Sequence, residues 1–593
     1  MFVVHAAWLC RSQTDFWSAN LVKPTSRIVS FSLAVLLVAF VTPSTARVIR
    51  SAPTGVTATR GMVAAANPMA VEAGLQVLRA GGTAVDAAVA VQAVLGLVEP
   101  QSSGLGGGAF MTFYDARTRK VSAYNGRETA PMGATPDLFL DAAGRPLGRM
   151  AAILSGRSTG VPGAVAMLSL AQAQHGKLAW KDLFADAERL ADQGFPAPRR
   201  MAAAAASRAP QAATPDAVAY FTKPDGARIQ PGDTVRNPAY AATIRRIAAE
   251  GPRALLEGPI AEAIVAKVHE GPLPGTLNLD DLKRYRPQTG PALCRPYRVY
   301  IVCMPPAPSG GPGVLIGLGI LEHTAIAQHP GDVEGWYLFS QASRLMYADR
   351  DRYIGDPDFV SVPTEGLLNS AYLAGRAALI GPKAGPPPPP GNPKGAGVRA
   401  PDHTQEPGGT THFVIADRWG NVASMTTTVE STFGSGRMAA GFFLNNQLTD
   451  FSFAPADRDG APAANAVGPG RRPRSSMAPA IVLDRQHRFV AALGSPGGPA
   501  ILAYNLKALV GLLDWKLPMQ AAINLPNVIA GGNFYAAEGD KFAPGVTEGL
   551  TARGVKLSQG FGAEGSGLHG IEATPDGLRG GADPRREGVA KAP

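Results

Sequence analysis

The sequence predicts an α+β chain, and three observations carry that expectation. Residues 409 to 451 contain two runs of alternating, β-branched residues on either side of Asp417-Arg418-Trp419-Gly420-Asn421, the pattern of two paired strands. The stretches 62–96 and 175–287 carry helical periodicity with Gly and Pro punctuation. The 69 Gly and 52 Pro among 593 residues exceed average usage and imply many turns. With 45% hydrophobic and 17% charged residues, the composition is that of a folded globular protein. Its length accommodates one large domain or several ordinary ones. The net charge of +10 is modest for this length, and no basic block is interleaved with aromatics, so nucleic-acid binding is not expected.

Taken in order, residues 28–41 form one apolar run after Lys23 and Arg27 and before Ser44-Thr45-Ala46. A membrane span needs about 20 such residues. The pattern predicts a secretory signal peptide, residues 1–46, and a mature protein in the periplasm or secreted, touching the membrane only through that signal. Cys10 belongs to the signal. Cys294 and Cys303 bound a short strand-rich segment, either as a disulfide or as two buried thiols.

Residues 62–80 read as an amphipathic helix closed by Gly81-Gly82, and 84–96 as a buried one. Gly104 and Gly106–Gly108 lead into a strand. They form neither GxGxxG nor a P-loop, so close backbone packing explains them better than phosphate binding. Arg127 ends a short strand before Glu128 and by itself reads as half of a salt bridge. The Asp residues of 344–357 lack EF-hand spacing and any accompanying His, and read as a solvated or ion-paired helix face; no metal or cofactor is expected. Residues 379–409, with five consecutive prolines and many glycines, read as a flexible or extended tether that cannot bury a core.

The hairpin allows simple arithmetic. Centred on Trp419, it places Thr428 opposite Thr410, with Glu430 two residues on and on the same face. A Thr pair is an ordinary sheet feature. It is also what a chain needs if Thr410 becomes an N-terminal nucleophile after self-cleavage, because the freed α-amine supplies the base that a hydroxyl lacks.

The segments TTHF, GNVAS, TFGSG, NNQLTDF, RPRSSMAP and GSPGG, in this order and near this spacing, resemble the gamma-glutamyltranspeptidase family of N-terminal nucleophile hydrolases. The resemblance implies a four-layer αββα sandwich formed jointly by a large subunit (47–409) and a small subunit (410–593) after autocleavage between Gly409 and Thr410. It implies Thr410 as nucleophile, Thr428 orienting it, and Gly497 and Gly498 as oxyanion donors. Arg127, Ser475 and Ser476 would take the substrate α-carboxylate, and Glu430, Gln447 and Asp450 its α-amino group. The implied donors are glutathione or other γ-glutamyl compounds, and the acceptors water, amino acids or short peptides. No cofactor is required.

Two departures bear on the substrate. Glu430 stands where the family often has Asn. The loop 452–468 is shorter than in lidded members and has only Phe453 as an aromatic, which implies an open cleft. A cephalosporin or glutaryl acylase, and an unprocessed binding homologue, are the alternatives. GSPGG lacks the GxSxG elbow of an α/β-hydrolase.

Overall fold

The computed structural model describes residues 56–59, 61–402, 404, 406, 408–558 and 565–593; the expected signal peptide and Cys10 lie outside them. Two antiparallel seven-stranded sheets form the centre. Their strands, in chain order, are β1 (Val56–Ala58), β2 (Met62–Ala65), β3 (Gly108–Asp115), β4 (Lys120–Gly126), β5 (Gln288–Pro291), β6 (Leu293–Tyr297), β7 (Tyr300–Met304), β8 (Thr410–Ala416), β9 (Val422–Thr428), β10 (Ala480–Asp484), β11 (Phe489–Gly494), β12 (His569–Thr574), β13 (Gly577–Ala582) and β14 (Val589–Lys591). One sheet runs β14-β2-β8-β9-β3-β4-β5 and the other β1-β13-β12-β11-β10-β7-β6.

Strand alternation separates the layers. On β8, Phe413 and Ile415 join the core beneath the helices α1 (Pro68–Arg79) and α2 (Ala84–Val98), whereas Val414 and Ala416 face the second sheet beside Ile481, Leu483 and Ile571. The second sheet's outer face is covered by α3 (Gly311–Glu322), α4 (Val333–Tyr353) and α5 (Ile501–Leu513). The layers are therefore helix, sheet, sheet, helix. Thr410 and His412 share parity with Val414 and point between the sheets.

The helix expected at 62–80 divides. Met62–Ala65 are fully buried as β2, which pairs with both β8 and β14. The helix starts only where the Asn67 side chain accepts the Met69 N–H and Pro68 takes the first turn. Burial on both faces produced an apolar run whose period cannot separate strand from helix. Cys294 and Cys303 are joined as a disulfide across the β6–β7 hairpin. Asp349, on the 344–357 segment, is ion-paired with Arg376 at 3.0 Å and buried rather than solvated. Among its described residues the 379–409 tether has no helix or strand, as expected, but it is not free: Ala400, Asp402 and Glu406 are buried.

Candidate active site

The β8–β9 hairpin holds the site's centre. Its turn is tied by Asp417, whose Oδ1 accepts the Trp419 and Asn421 N–H groups at 2.9 and 3.0 Å. Register follows the turn, and Thr410 pairs with Thr428 as the arithmetic predicted. Thr410 Oγ donates to Thr428 Oγ at 3.1 Å, and Thr428 Oγ donates to the Gly409 carbonyl at 2.8 Å. The Glu430 N–H also donates to Thr428 Oγ, at 2.7 Å. One hydroxyl thus links the expected nucleophile to the carbonyl it would attack.

Glycine around this point is a matter of space. A Cβ on Gly409 would lie 2.4 Å from the Glu430 carbonyl oxygen, and one on Gly107 1.9 Å from that of Thr428. The glycine-rich loop therefore serves close packing. Gly497 and Gly498, expected as oxyanion donors, have φ of 138° and 56°, where a side chain is strained. Gly497 lies alongside the last tether residues: a Cβ on Gly408 would stand 3.9 Å from its carbonyl carbon. Arg586 donates to the Thr410 carbonyl at 2.9 Å. A cavity of about 610 Å³, lined in part by Gln101, Arg200, Arg586, Gly408 and Gly409, opens onto this peptide.

Four of the expected binding residues form one buried floor. Arg127 pairs with Asp450 at 2.6 Å, and Gln447 Nε2 donates to Asp450 and to Glu430, both at 3.0 Å. Burial, then the neighbouring Asp450, push the Glu430 carboxyl well above the usual carboxylate range. Burial raises Glu128, 3.8 Å from Arg127, to about 8. Glu430 Oε1, Gln447 Oε1 and Asp450 Oδ1 are buried with no hydrogen-bond partner among the described residues. Glu430 is not on the strand face as expected. The strand ends at Thr428, and Glu430 turns away at φ 84°, a conformation rare outside glycine.

Ser475 and Ser476 lie on a different wall. Ser475 Oγ accepts the Met477 N–H at 3.1 Å. Ser476 Oγ donates to the tether's Glu406 and accepts from Arg350 at 2.8 Å. Arg350 and Arg474 stand 2.7 and 3.5 Å from Glu406, and Arg474 also binds Asp402 at 2.9 Å. Burial works against these carboxylates, but Arg350 and Arg474 hold Glu406, and Arg474 holds Asp402, below their usual values. Arg127 holds only a distant carboxylate at Nη1, Glu128 at 3.8 Å. Its Nε and Nη2 are taken by the carbonyls of Pro473 and Arg474, at 3.1 and 2.7 Å, and by Asp450.

Sequence reading missed Arg350, Arg474, Asp402 and Glu406. Arg474 was visible inside RPRSSM, directly before the serine pair that mattered more to the motif. Glu406 had no signal, since it sits in a Pro/Gly-rich tract whose composition argues for solvent. In the short loop 452–468 the aromatic Phe453 stacks on Phe139 with ring centroids 4.5 Å apart. Two residues along the strand from Thr410, burial and then His569 hold His412 well below the usual histidine range, and burial lowers His569 to about 4.

Among the described residues no group of three or more His, Cys, Asp or Glu is placed to hold a metal, and no helix is long and apolar enough to cross a membrane. The family model for gamma-glutamyltranspeptidase matches residues 70–592. The glutathione hydrolase proenzyme of Bacillus subtilis (strain 168) is 38% identical over 483 residues, 79% of this chain and 80% of the relative. The Acylase ACY 1 proenzyme of Pseudomonas sp. (strain V22) is 32% identical over 553 residues, 90% of this chain and 94% of the relative. Among solved structures, the cephalosporin acylase of Bacillus halodurans superposes with a TM-score of 0.80 at 27% identity, over 91% of this chain and 97% of that one. With the Thr410–Thr428 hairpin, the two-sheet core and a family match over nearly the whole described chain, the protein belongs to the gamma-glutamyltranspeptidase family of N-terminal nucleophile hydrolases.

Proposed function

We propose that the chain cuts itself between Gly409 and Thr410, and that the new N-terminal Thr410 then transfers or hydrolyses the acyl group of small amides. The observation that supports this most is the hydroxyl chain from Thr410 Oγ through Thr428 Oγ to the Gly409 carbonyl. Thr410 Oγ attacks the Gly409 carbonyl carbon. Its proton passes to Thr428, whose own proton goes to the oxygen that gains charge. Collapse breaks the C–N bond, the amine takes a proton, and an ester remains that water hydrolyses. The products are subunits 47–409 and 410–593.

In the mature enzyme the Thr410 α-amine takes and returns the proton as Oγ attacks a substrate amide. Thr428 orients Oγ, and the Gly497–Gly498 backbone stabilises the oxyanion, a role worth on the order of 3 to 4 kcal/mol for one donor. The acyl-enzyme passes to water, an amino acid or a short peptide. The deciding experiment is N-terminal sequencing of the smaller band, which should begin Thr-Thr-His-Phe. A single uncut band from active, purified protein sinks the mechanism; an uncut, inactive one leaves a binding protein.

Two readings of the acyl group have support. A cephalosporin or glutaryl acylase is favoured by the likeness to the Bacillus halodurans enzyme over 91% of this chain, by the acylase relative, and by the short loop 452–468 with Phe453 as its one aromatic. A γ-glutamyl enzyme acting on glutathione or related amides is favoured by the unpartnered Glu430, Gln447 and Asp450 oxygens, which suit an ammonium that a glutaryl group lacks. Side-by-side hydrolysis of γ-glutamyl- and glutaryl-p-nitroanilide separates them. The signal sequence supports export to the periplasm or beyond, and protease accessibility in intact cells tests it.

A further inference from the structure

A cation is seated against Thr410 with no counter-charge of its own. Arg586, just before β14, donates only to main-chain carbonyls: Nη1 to Thr410 at 2.9 Å, Nη2 to Gly565 at 2.9 Å and Nε to Ser566 at 3.2 Å. Its seat is built for it, since a Cβ on Gly567 would lie 2.5 Å from Arg586 Cδ. The same loop touches the expected oxyanion turn: the Gly565 carbonyl oxygen is 3.4 Å from where a Cβ on Gly497 would stand. Among the described residues Arg586 forms no ion pair. The carboxylates its charge feels are held by other arginines, Glu99 by Arg200 at 2.9 Å and Asp583 by Arg585 at 3.0 Å. A residue's own nitrogen and carbonyl oxygen are at most about 3.6 Å apart. An amine freed on Thr410 would therefore stand within about 6.5 Å of Arg586 Nη1.

The other titratable groups around Thr410 supply no answering anion. His412 on its own strand is held well below the usual histidine range, and burial lowers His569 on β12 to about 4, so both are neutral near pH 7. Burial pushes Glu430 well above the usual carboxylate range and raises Glu128 to about 8. Asp450 is paired with Arg127 at 2.6 Å. In the cavity, Glu538 is held by Arg585 at 2.5 Å and Lys541 at 2.7 Å, and Asp540 is exposed.

We propose that Arg586 is a positioning residue for the base: its charge keeps the α-amine that self-cleavage frees on Thr410 unprotonated near neutral pH. The proposal rests on the acyl-transfer reading, which uses that amine as its base, and names what prepares it. A free α-amine has a pKa of about 7.7 to 8.0, so most of it is protonated at pH 7. A like charge within about 6 Å disfavours the protonated form, and guanidinium stays charged throughout. A downward shift of about one unit leaves about half of the amine ready at pH 7.

Two measurements test it. The pH profile of kcat/KM reports groups of the free enzyme. It is recorded from about pH 5 to about pH 9 for processed wild type, Arg586→Gln and Arg586→Lys, on the p-nitroanilide that the wild type prefers. The acid limb should move up by about one unit in the Gln variant and stay in place in the Lys variant. At pH 6 the Gln variant should then show a roughly tenfold smaller fraction of its own plateau than wild type. A lower plateau with an unmoved limb is what a purely structural arginine gives, and it overturns the proposal. So does a limb that moves alike in both variants, which assigns the effect to shape and not charge. The second measurement needs no variant and decides if the Gln chain does not fold or cut. Carbamylation of the small-subunit N-terminus by cyanate, read by mass spectrometry against pH, follows the unprotonated amine directly. Its midpoint in wild type should lie about one unit below that of a free α-amine; a midpoint at or above the free value overturns the proposal. A low midpoint in a cut chain that turns over neither anilide faults the acyl-transfer reading alone. A chain that is never cut exposes no amine and removes both.

Discussion

The floor and the wall of this site are both buried and charged, but they are unsatisfied in opposite senses. On the floor, Arg127 stands among Glu128, Glu430 and Asp450, and acceptor oxygens of Glu430, Gln447 and Asp450 are left empty. On the wall, Arg350 and Arg474 are balanced chiefly by Glu406 and Asp402, which lie on the tether. Isolated buried charge is costly, and a pair broken by removal of one partner costs about 3 to 5 kcal/mol. The floor therefore offers acceptor oxygens, whereas the wall's two guanidiniums already hold carboxylates of the tether.

The largest expected effect freezes the wall in its occupied form. Thr410→Ala removes the attacking hydroxyl, so the chain should stay as one band on a denaturing gel, with p-nitroanilide turnover below about one-thousandth of wild type, since residues that act as a unit lose nearly everything together. Cleavage or turnover in that variant would leave the comparison without its central event. Thr428→Val comes next. It keeps the β-branched shape and deletes the hydroxyl that touches both Thr410 and the Gly409 carbonyl. Self-cleavage, followed as the smaller band appears with time, should slow by roughly 100- to 1,000-fold, the scale of losing one donor to a developing oxyanion.

Glu430→Gln probes the floor alone. Burial and Asp450 favour the protonated carboxyl in the empty site, and Gln imitates that form closely. An ammonium would draw Glu430 into its ionised form, which Gln cannot imitate. The KM for γ-glutamyl-p-nitroanilide should then rise about tenfold, near the upper range for a charge-assisted bond, while that for the glutaryl compound holds. Equal KM values in variant and wild type for both donors would remove the reason to prefer an ammonium-bearing donor.

Much of the floor was legible in the sequence because short motifs carry it. The strand register paired Thr410 with Thr428 before any coordinates, and the resemblance carried by NNQLTDF pointed to Gln447 and Asp450, which lie 3.0 Å apart. The helix–sheet–sheet–helix order was legible by the same route. What sequence reading lost was lost to burial and distance. Met62–Ala65 was misread because a strand covered on both faces shows no alternation. The 344–357 acids were read as a solvated or ion-paired helix face, and Asp349 is ion-paired, but that pattern gave no sign that Arg350 from the same helix reaches Ser476, 126 residues away. Glu406 was hidden by its neighbours, since a Pro/Gly-rich composition describes average solvation and says nothing of one carboxylate that finds two arginines.

The smallest expected effect separates the wall from everything else by its pH dependence. In a Thr410→Ala background, the stability of the parent is compared with that of the Glu406→Gln variant by urea unfolding from pH 7 down to pH 3. Glu406 has a folded-state value below its usual 4.5, held there against burial by Arg350 and Arg474. A group with a depressed folded value stabilises above its unfolded value, and that contribution is lost as pH falls through the folded one. The parent should thus exceed the variant by about 3 kcal/mol at pH 7, the scale of a broken buried pair, and the gap should close progressively below about 4.5. Acid sensitivity common to both chains has another source. Burial lowers His569 from 6.5 to about 4, so the unfolded state binds the extra proton between those values and stability falls as pH drops across them. That loss begins near pH 6.5 and leaves the gap between the chains unchanged. A gap that instead opened with the histidine window would tie Glu406 to the layer beneath Thr410 rather than to the wall.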